Sequence, residues 1–173
     1  KLAAQAATGL SGSILIFDAF DEILEKSKTN AFAGQVMDAW AEAHWFTQRP
    51  PVPEMITATV FKVDGEINTD DFSPAGEAWS RPDIPLHALC MLNNRITDNP
   101  VTAIARLKQT GYSVAFAGDV VGTGSSRKSA SNSLIWHIGE DIPYIPNKRR
   151  GGVVLGNVIA PIFFNSLEDA GAL

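Results

Sequence analysis

The chain has 173 residues, of which 45% are hydrophobic and 19% charged, and its formal net charge is −5 at pH 7. This composition indicates a globular protein with a core, and the acidic balance argues mildly against a surface dedicated to nucleic acid. Because Cys90 is the only cysteine, the chain forms no internal disulfide and no cysteine cluster for a metal, which favours a reducing compartment. No apolar run is long enough to span a bilayer, so we expect a cytoplasmic protein without a membrane partner. The chain starts at Lys1, from which we expect a segment of a longer protein.

Apolar residues at helical spacing predict two antiparallel helices before residue 48. The two sets are Leu10, Ile14, Phe17, Phe20 and Leu24, and then Phe32, Val36, Ala39, Trp40 and Ala43. The polar stretch 26–30 predicts the turn between these helices. The proline-rich stretch 49–53 predicts an extended linker, so we expect one domain at residues 1–53 and another at residues 54–173.

Strands and helices are predicted to alternate after residue 54, which indicates an α/β domain with its site at the strand ends. The predicted strands cover residues 56–64, 112–117, 142–145, 153–155 and 159–164. The predicted helices cover residues 86–92, 101–110 and 166–170, and a further helix that includes residues 130–138 is expected to begin at Ser125 and Ser126. Gly65 is predicted to turn the chain. The polar stretch 68–74 and the basic stretch 147–152 are predicted as loops.

The most informative motif is a predicted strand that passes through a glycine turn at residues 122–124 into a predicted helix. Ser125 and Ser126 lie where this helix is expected to begin, and the unpaired N–H groups of a helix start favour an anion. Arg127 and Lys128 place positive charge at a helix end that usually prefers acidic residues, which predicts an anion site. The motif is neither a Walker A loop nor a dinucleotide fingerprint. The alternative is that Ser125 or Ser126 only caps the helix.

Several stretches of the sequence resemble the bacterial aconitase B family within the aconitase superfamily. They are residues 68–75, 79–88, 118–128, 146–149, 159–165 and 171–173, and residues 122–127 are similar to the superfamily's Gly-Ser-Ser-Arg signature. The resemblance implies an α/β fold with an aconitase-type swivelling β/β/α domain at residues 54–173. It also implies that residues 1–53 are an α-helical hairpin and linker from the end of a HEAT-like domain.

The resemblance implies an iron-sulfur hydro-lyase that isomerises citrate to isocitrate through cis-aconitate, with 2-methylcitrate-type acids as further substrates. The family's catalytic serine base matches Ser125, and its substrate-binding residues match Arg81, Ser125, Ser126 and Arg127. The [4Fe-4S] cluster of the full-length enzyme would have its ligands outside this chain, which therefore provides no metal ligands and is expected to be inactive alone. The implied partners are a tricarboxylate substrate and the cluster-binding domains of the same enzyme.

Other function classes stay open at this point. A binding module would contact messenger RNA through the basic residues 148–150, or would form a homodimer through the helical part. The small subunit of an isopropylmalate isomerase-like enzyme shares the swivel fold, but the Trp-Ser-Arg-Pro stretch at residues 79–82 and the N-terminal helices argue against it.

Several candidate residues also have a purely structural interpretation. Arg81 would then form a surface ion pair, because isolated surface charges are common. His87 and His137 lie in apolar stretches, which is typical of core residues. Asp70 and Asp71 would stabilise a loop through bonds from their side chains to the backbone.

Overall fold

The computed structural model describes the chain except for residues 14, 49, 50, 52, 126 and 144 and the side chain of residue 17. The chain divides into two compact units, Lys1–Met55 and Ile56–Leu173. Three of the five residues of the predicted linker at 49–53 lie outside the described residues. Within the described part, no helix has the length and apolar character needed to cross a bilayer.

The first unit is a small helical unit with a core of its own. Its elements are α1 (Leu2–Ser11), a 3-10 turn (Phe17–Ala19), α2 (Phe20–Ser27), α3 (Ala31–Ala41) and α4 (His44–Thr47). Its core contains the buried residues Ala7, Val36 and Trp40, against which Leu10, Phe20, Ile23 and Met37 pack. The indole Nε1 of Trp40 donates a hydrogen bond to the Leu10 carbonyl at 3.1 Å, so α3 is fixed to α1 by a polar contact as well.

The prediction of one continuous helix over residues 10–24 is wrong. The chain leaves α1 at Gly12 and returns to α-helix only at Phe20, so the apolar set extends over two helices. Ser13 Oγ donates to the Leu10 carbonyl at 2.8 Å, a local bond that competes with helix continuation. Ile14, which was part of the pattern, lies outside the described residues.

The predicted turn at residues 26–30 is confirmed, because α2 ends at Ser27 and α3 begins at Ala31. The side chain of Asn30 accepts hydrogen bonds from the backbone N–H groups of Phe32 and Ala33. This N-cap satisfies two of the donors that a helix start leaves unpaired.

The second unit has a mixed α/β fold, as the sequence predicted. In chain order its elements are β1 (Ala58–Asn68), α5 (Thr69–Phe72), a 3-10 turn (Ala75–Glu77), α6 (Ile84–Ala88), α7 (Pro100–Lys108), β2 (Ser113–Thr123), α8 (Lys128–Ile138), β3 (Glu140–Ile142), β4 (Ile145–Arg150), β5 (Val153–Ile159) and α9 (Pro161–Asp169). In the described part of the chain, β1, β2 and β5 form a parallel sheet in the order β1-β2-β5, and β3 and β4 form an antiparallel pair. Parallel neighbours require crossover connections, and the segments with α7 and α8 supply them.

The core of the second unit brings together the elements that later form the site. Phe72 of α5 stacks on Phe163 of α9, with ring centroids 5.2 Å apart and an interplanar angle of 3°. The same ring meets Phe116 of β2 edge to face at 5.3 Å. Because such aromatic pairs are favourable beyond their buried area, they fix α5 and α9 against the sheet.

Five local predictions for this unit are wrong. The predicted strand 142–145 covers only the end of β3 at Ile142 and the start of β4 at Ile145, and residue 144 lies outside the described residues. Gly65 does not turn the chain but lies within β1, where its φ of +82° accompanies a register shift. The stretch 68–74 contains the helix α5, and most of the basic stretch 147–152 lies on β4 instead of a loop. The predicted strand 159–164 is mostly the start of α9, because Pro161 occupies a first-turn position for which its fixed φ is preorganised.

Gly122 lies at the point where the end of β2 approaches α9. Its φ is +80°, a region that side chains disfavour. A Cβ atom built at this position would lie 2.2 Å from the ring of Phe163 and 2.4 Å from its Cβ. Both the backbone conformation and the close packing therefore require glycine here.

We expect Gly122→Ala to lower the free energy of unfolding of the second unit by roughly 2–4 kcal/mol, because strain and overpacking add. Urea denaturation would measure this loss. Gly111→Ala is the matched control, since Gly111 has a φ of +82° but no atom within 4 Å of the added Cβ. It should cost only about 1 kcal/mol of backbone strain. Equal losses in the two variants would contradict the close packing of α9 on this turn.

Candidate functional site

The carboxyl ends of β1, β2 and β5 open onto one cavity of about 110 Å3. Its walls include Thr69 after β1, Gly124 and Ser125 after β2, and Ala160 and Pro161 after β5. Ligands of open parallel sheets bind outside the carboxyl ends of the strands. The fold therefore places this cavity where a ligand site is expected.

Ser125 lies exposed on the wall of this first cavity. Its carbonyl oxygen accepts a hydrogen bond from Thr69 Oγ1 at 2.6 Å, and Thr69 is almost fully buried. The turn that follows β2 is thereby fixed to the end of β1. The sequence did not single out Thr69, because a contact between positions 56 residues apart leaves no local pattern.

Helix α8 begins later than predicted, and Ser125 does not cap it. The first helical residue is Lys128, and Arg127 occupies the N-cap position without a side-chain cap bond. Ser125 lies before this cap. Ser126, the other predicted serine of the site, lies outside the described residues.

Arg127 is held by the segment that follows β1. Its Nη1 donates to the carboxylate of Asp70 and, at 3.1 Å, to the carbonyl oxygen of Ser73. Asp70 also accepts from the backbone N–H of Ala75 at 3.1 Å. The positive charge at the start of α8 is therefore balanced by an acidic group from another element. Lys128 is balanced in the same way, because its Nζ lies 2.7 Å from Asp169.

Arg81 and Arg127 line a second cavity, of about 340 Å3. Both arginines that the family resemblance assigns to substrate binding therefore lie on the wall of one cavity. Arg127 also lines the first cavity, so it connects the position of Ser125 with that of Arg81. The role of these residues in binding a substrate stays a prediction.

The ion-pair interpretation of Arg81 also holds in this structure. Its Nε lies 3.1 Å from Glu77 Oε2, and both side chains are more than a third exposed. The hydrogen bond from the Arg81 guanidinium is the main reason why the pKa of the Glu77 carboxyl is lowered. Glu77 therefore stays ionised near neutral pH. Exposed ion pairs of this kind contribute little to stability, so a ligand carboxylate can replace Glu77 at low cost.

The structural interpretation of the histidines and of Asp71 is confirmed. His87 and His137 are both buried, and His137 Nε2 donates to the Ala88 carbonyl at 2.8 Å. Asp71 and Asn68 form a capping box at the start of α5, in which each side chain accepts from the other residue's backbone N–H. Asp70 makes the predicted bond to the backbone, but its pairing with Arg127 was not predicted.

Comparison with known proteins agrees with this architecture. Residues 58–173 match the protein family described as Aconitate hydratase 2 N-terminus, and residues 1–46 match the family described as Aconitate B N-terminal domain. The chain belongs to the bacterial aconitase B family.

Individual relatives in this family, each described as Aconitate hydratase B, align with the whole chain. The protein of Synechocystis sp. is 63% identical over 173 residues, that of Escherichia coli K12 57% over 183 residues, and that of Helicobacter pylori 56% over 173 residues. The chain covers 20%, 21% and 20% of these proteins, respectively. It thus spans about a fifth of the length of the curated relatives it matches.

The residues of this chain do not fit the iron-sulfur cluster that aconitase B proteins generally carry. A cubane cluster requires several thiolate ligands, whereas Cys90 is the only cysteine of the chain. Cys90 is buried, and burial raises the pKa of its thiol, which disfavours the thiolate that binds iron. Among the described residues, no group of three histidine, cysteine or acidic side chains is placed to hold a metal ion.

The basic residues 148–150 lie on β4, and Arg149 is engaged within the fold. Its Nε donates to Asp141 at 2.8 Å, and its guanidinium lies 4.4 Å from the ring centroid of Trp136. This arrangement is a packed cation–π contact. Contact of this segment with RNA stays a prediction, as does a homodimer.

The ion pair of Asp70 and Arg127 leads to a prediction about pH. The hydrogen bond from Arg127, and then that from the Ala75 N–H, lowers the pKa of Asp70 in the folded state. A carboxyl whose pKa is lower in the folded state than in the unfolded state, where it is about 3.9, contributes its full stabilisation above about pH 3.9. This stabilisation is lost as the pH falls through the lower pKa of the folded state. We expect Asp70→Asn to reduce the free energy of unfolding by less than about 1 kcal/mol above pH 4, because the pair is partly exposed. Urea denaturation as a function of pH would show the difference from wild type shrinking on acidification.

The control for this prediction is Asp70→Asn in an Arg127→Ala background, where the same substitution should cost less. A difference between Asp70→Asn and wild type that persists unchanged at a pH of about 2 would contradict the pairing.

Proposed function

We propose that the second unit is a substrate-binding part of an aconitase-type hydro-lyase and that Arg81 and Arg127 together bind a tricarboxylate. The observation that supports this proposal is their position on the wall of one cavity of about 340 Å3. A guanidinium binds a carboxylate through two parallel hydrogen bonds, and a trianion such as citrate benefits from more than one such ligand. 2-Methylcitrate-type acids carry the same carboxylates and would bind the same two arginines.

Both arginines have donors left for a substrate. A guanidinium has five N–H donors, and the described hydrogen bonds of Arg127 use only Nη1. Arg81 is bonded to Glu77 through Nε, in an exposed pair that a substrate carboxylate can displace. The side chains of Arg81 and Arg127 are 36% and 31% exposed, respectively, which leaves them accessible from the cavity.

Ser125 is the proposed base for the chemical step. Dehydration of citrate removes a proton from a methylene carbon next to a carboxylate and expels hydroxide from the neighbouring carbon, so that a C=C bond forms and the products are cis-aconitate and water. Ser125 shares the first cavity with Arg127, so a substrate bound to Arg127 would reach toward the serine hydroxyl. A serine alkoxide is stable only where positive charge and N–H dipoles replace water, and Arg127 would supply part of that environment. Ser126 would add hydrogen bonds to the substrate.

Parts of the enzyme outside this chain would complete the active site. The [4Fe-4S] cluster of the family would supply Lewis-acid chemistry, and its ligands would lie in those other domains. They would also exclude water from the two cavities, which strengthens every charge interaction with the substrate. For these reasons we expect no turnover by the 173-residue chain alone.

Calorimetry with citrate at low salt tests the binding proposal on this chain. We expect weak binding by the wild type, and at least about a tenfold higher Kd in Arg81→Ala and in Arg127→Ala, because each change removes charge-assisted hydrogen bonds. Lys148→Ala is the matched control, since it removes the same charge from the wall of a different cavity. Equal losses in all three variants would show that citrate responds only to net charge and would refute the proposed site.

Kinetics of the complete enzyme test the role of Ser125. We expect Ser125→Ala to lower kcat by about 10²–10⁴-fold with little change in KM, because the base acts mainly in the transition state. Arg81→Lys should also raise KM, because it weakens ground-state binding. Formation of cis-aconitate is followed by ultraviolet absorbance. Ser113→Ala, at the opposite end of β2, is the control and should keep wild-type rates. A near-normal kcat in Ser125→Ala would refute the assignment.

A further inference from the structure

His87 joins the backbone of Arg81 to Ser73. Its Nδ1 lies 3.2 Å from the carbonyl oxygen of Arg81, and its Nε2 lies 3.0 Å from Ser73 Oγ. Because a carbonyl oxygen only accepts hydrogen bonds, Nδ1 carries the hydrogen, and Nε2 is hydrogen-bonded to the Ser73 hydroxyl. Both ring nitrogens are thus occupied, and His87 is not arranged to bind a ligand directly.

Ser73 extends this connection to Arg127. The carbonyl oxygen of Ser73 accepts from Arg127 Nη1 at 3.1 Å, and its Oγ lies 2.8 Å from Ser129 Oγ in α8. Three hydrogen bonds therefore lead from the Arg81 backbone through His87 and Ser73 to the Arg127 guanidinium. All of these residues line the second cavity.

His87 and Ser73 are buried, which makes this connection rigid, whereas the side chains of the two arginines that it links are accessible. His87 is 8% exposed and Ser73 is 2% exposed. Leaving a buried polar group without its partner is costly, so these bonds resist distortion. The separation of two carboxylates in a small acid is limited by its carbon skeleton, and two guanidinium groups bind both only when their spacing matches.

We propose that His87 is a positioning residue that sets the spacing of Arg81 and Arg127 for substrates with two or more carboxylates. The inference rests on the proposed function of these arginines as carboxylate ligands. His87 acts through the Arg81 backbone and through Ser73, without touching the substrate. Its loss should weaken citrate binding more than sulfate binding, because a single guanidinium is enough to hold sulfate.

Calorimetry on the 173-residue chain, with citrate and with sulfate at equal ionic strength, tests the proposal. In His87→Leu we expect the Kd for citrate to rise about fivefold and the Kd for sulfate to change less than about twofold. His137→Leu is the matched control, because His137 is equally buried but bonds to the Ala88 carbonyl and to neither arginine. His87→Asn, which keeps a donor close to the position of Nδ1, should recover part of the citrate affinity.

Ser73→Ala provides the same test if His87→Leu fails to fold. It removes the hydroxyl that bonds to His87 but keeps the carbonyl that accepts from Arg127, and it should weaken citrate binding in the same selective way. Unchanged citrate affinity in a folded His87→Leu or Ser73→Ala chain would overturn the proposal. An equal loss in His137→Leu would overturn it as well, since the effect would then be general destabilisation.

Nuclear magnetic resonance separates failure of this inference from failure of the proposed function. The 15N-labelled side-chain signals of Arg81 and Arg127 should shift in His87→Leu or Ser73→Ala and stay unchanged in His137→Leu. This readout does not require citrate, so it also decides the case in which the wild-type chain binds no citrate. Unchanged arginine signals in both variants would overturn the positioning role.

Discussion

The ion pair between Arg127 and Asp70 holds the arginine that both cavities share. It joins the N-cap of α8 to the segment after β1, across 57 positions of sequence. A cation at a helix start is unfavourable with respect to the helix dipole, so the carboxylate is needed to keep it there. Because Arg127 lines both cavities, its position relates Ser125 in the first cavity to Arg81 in the second.

The parallel sheet explains why segments far apart in sequence meet at the first cavity. Parallel strands all end at the same edge, and the chain after each end contributes one part of the site. Thr69 follows β1, Ser125 follows β2, and Pro161 begins the helix after β5. The aromatic contacts of Phe72 then fix two of these segments against the sheet.

Sequence patterns predicted those parts of the structure that local periodicity determines. The strand, glycine turn and helix around Ser125 follow from alternation and helical spacing. The break after α1 was missed because apolar spacing continues across it. Gly139 ends α8 with a φ of −87°, which is not the left-handed region that favours glycine. Glycine is needed there because an added Cβ would lie 2.6 Å from the Arg150 carbonyl. That packing constraint, like the partners of Arg127, comes from tertiary structure and leaves no local signal.

The exposed pair of Arg81 and Glu77 places a carboxylate of the chain itself on one of the two arginines that line the second cavity. A carboxylate that binds Arg81 in the proposed function would compete with the tethered Glu77 carboxylate, which is present at high local concentration. A small anion that contacts only Arg81 would gain little binding free energy by displacing Glu77. An acid that engages Arg127 at the same time gains a second contact that Glu77 does not provide. Competition from Glu77 would therefore lower the affinity for every carboxylate ligand but would favour ligands with several charged groups.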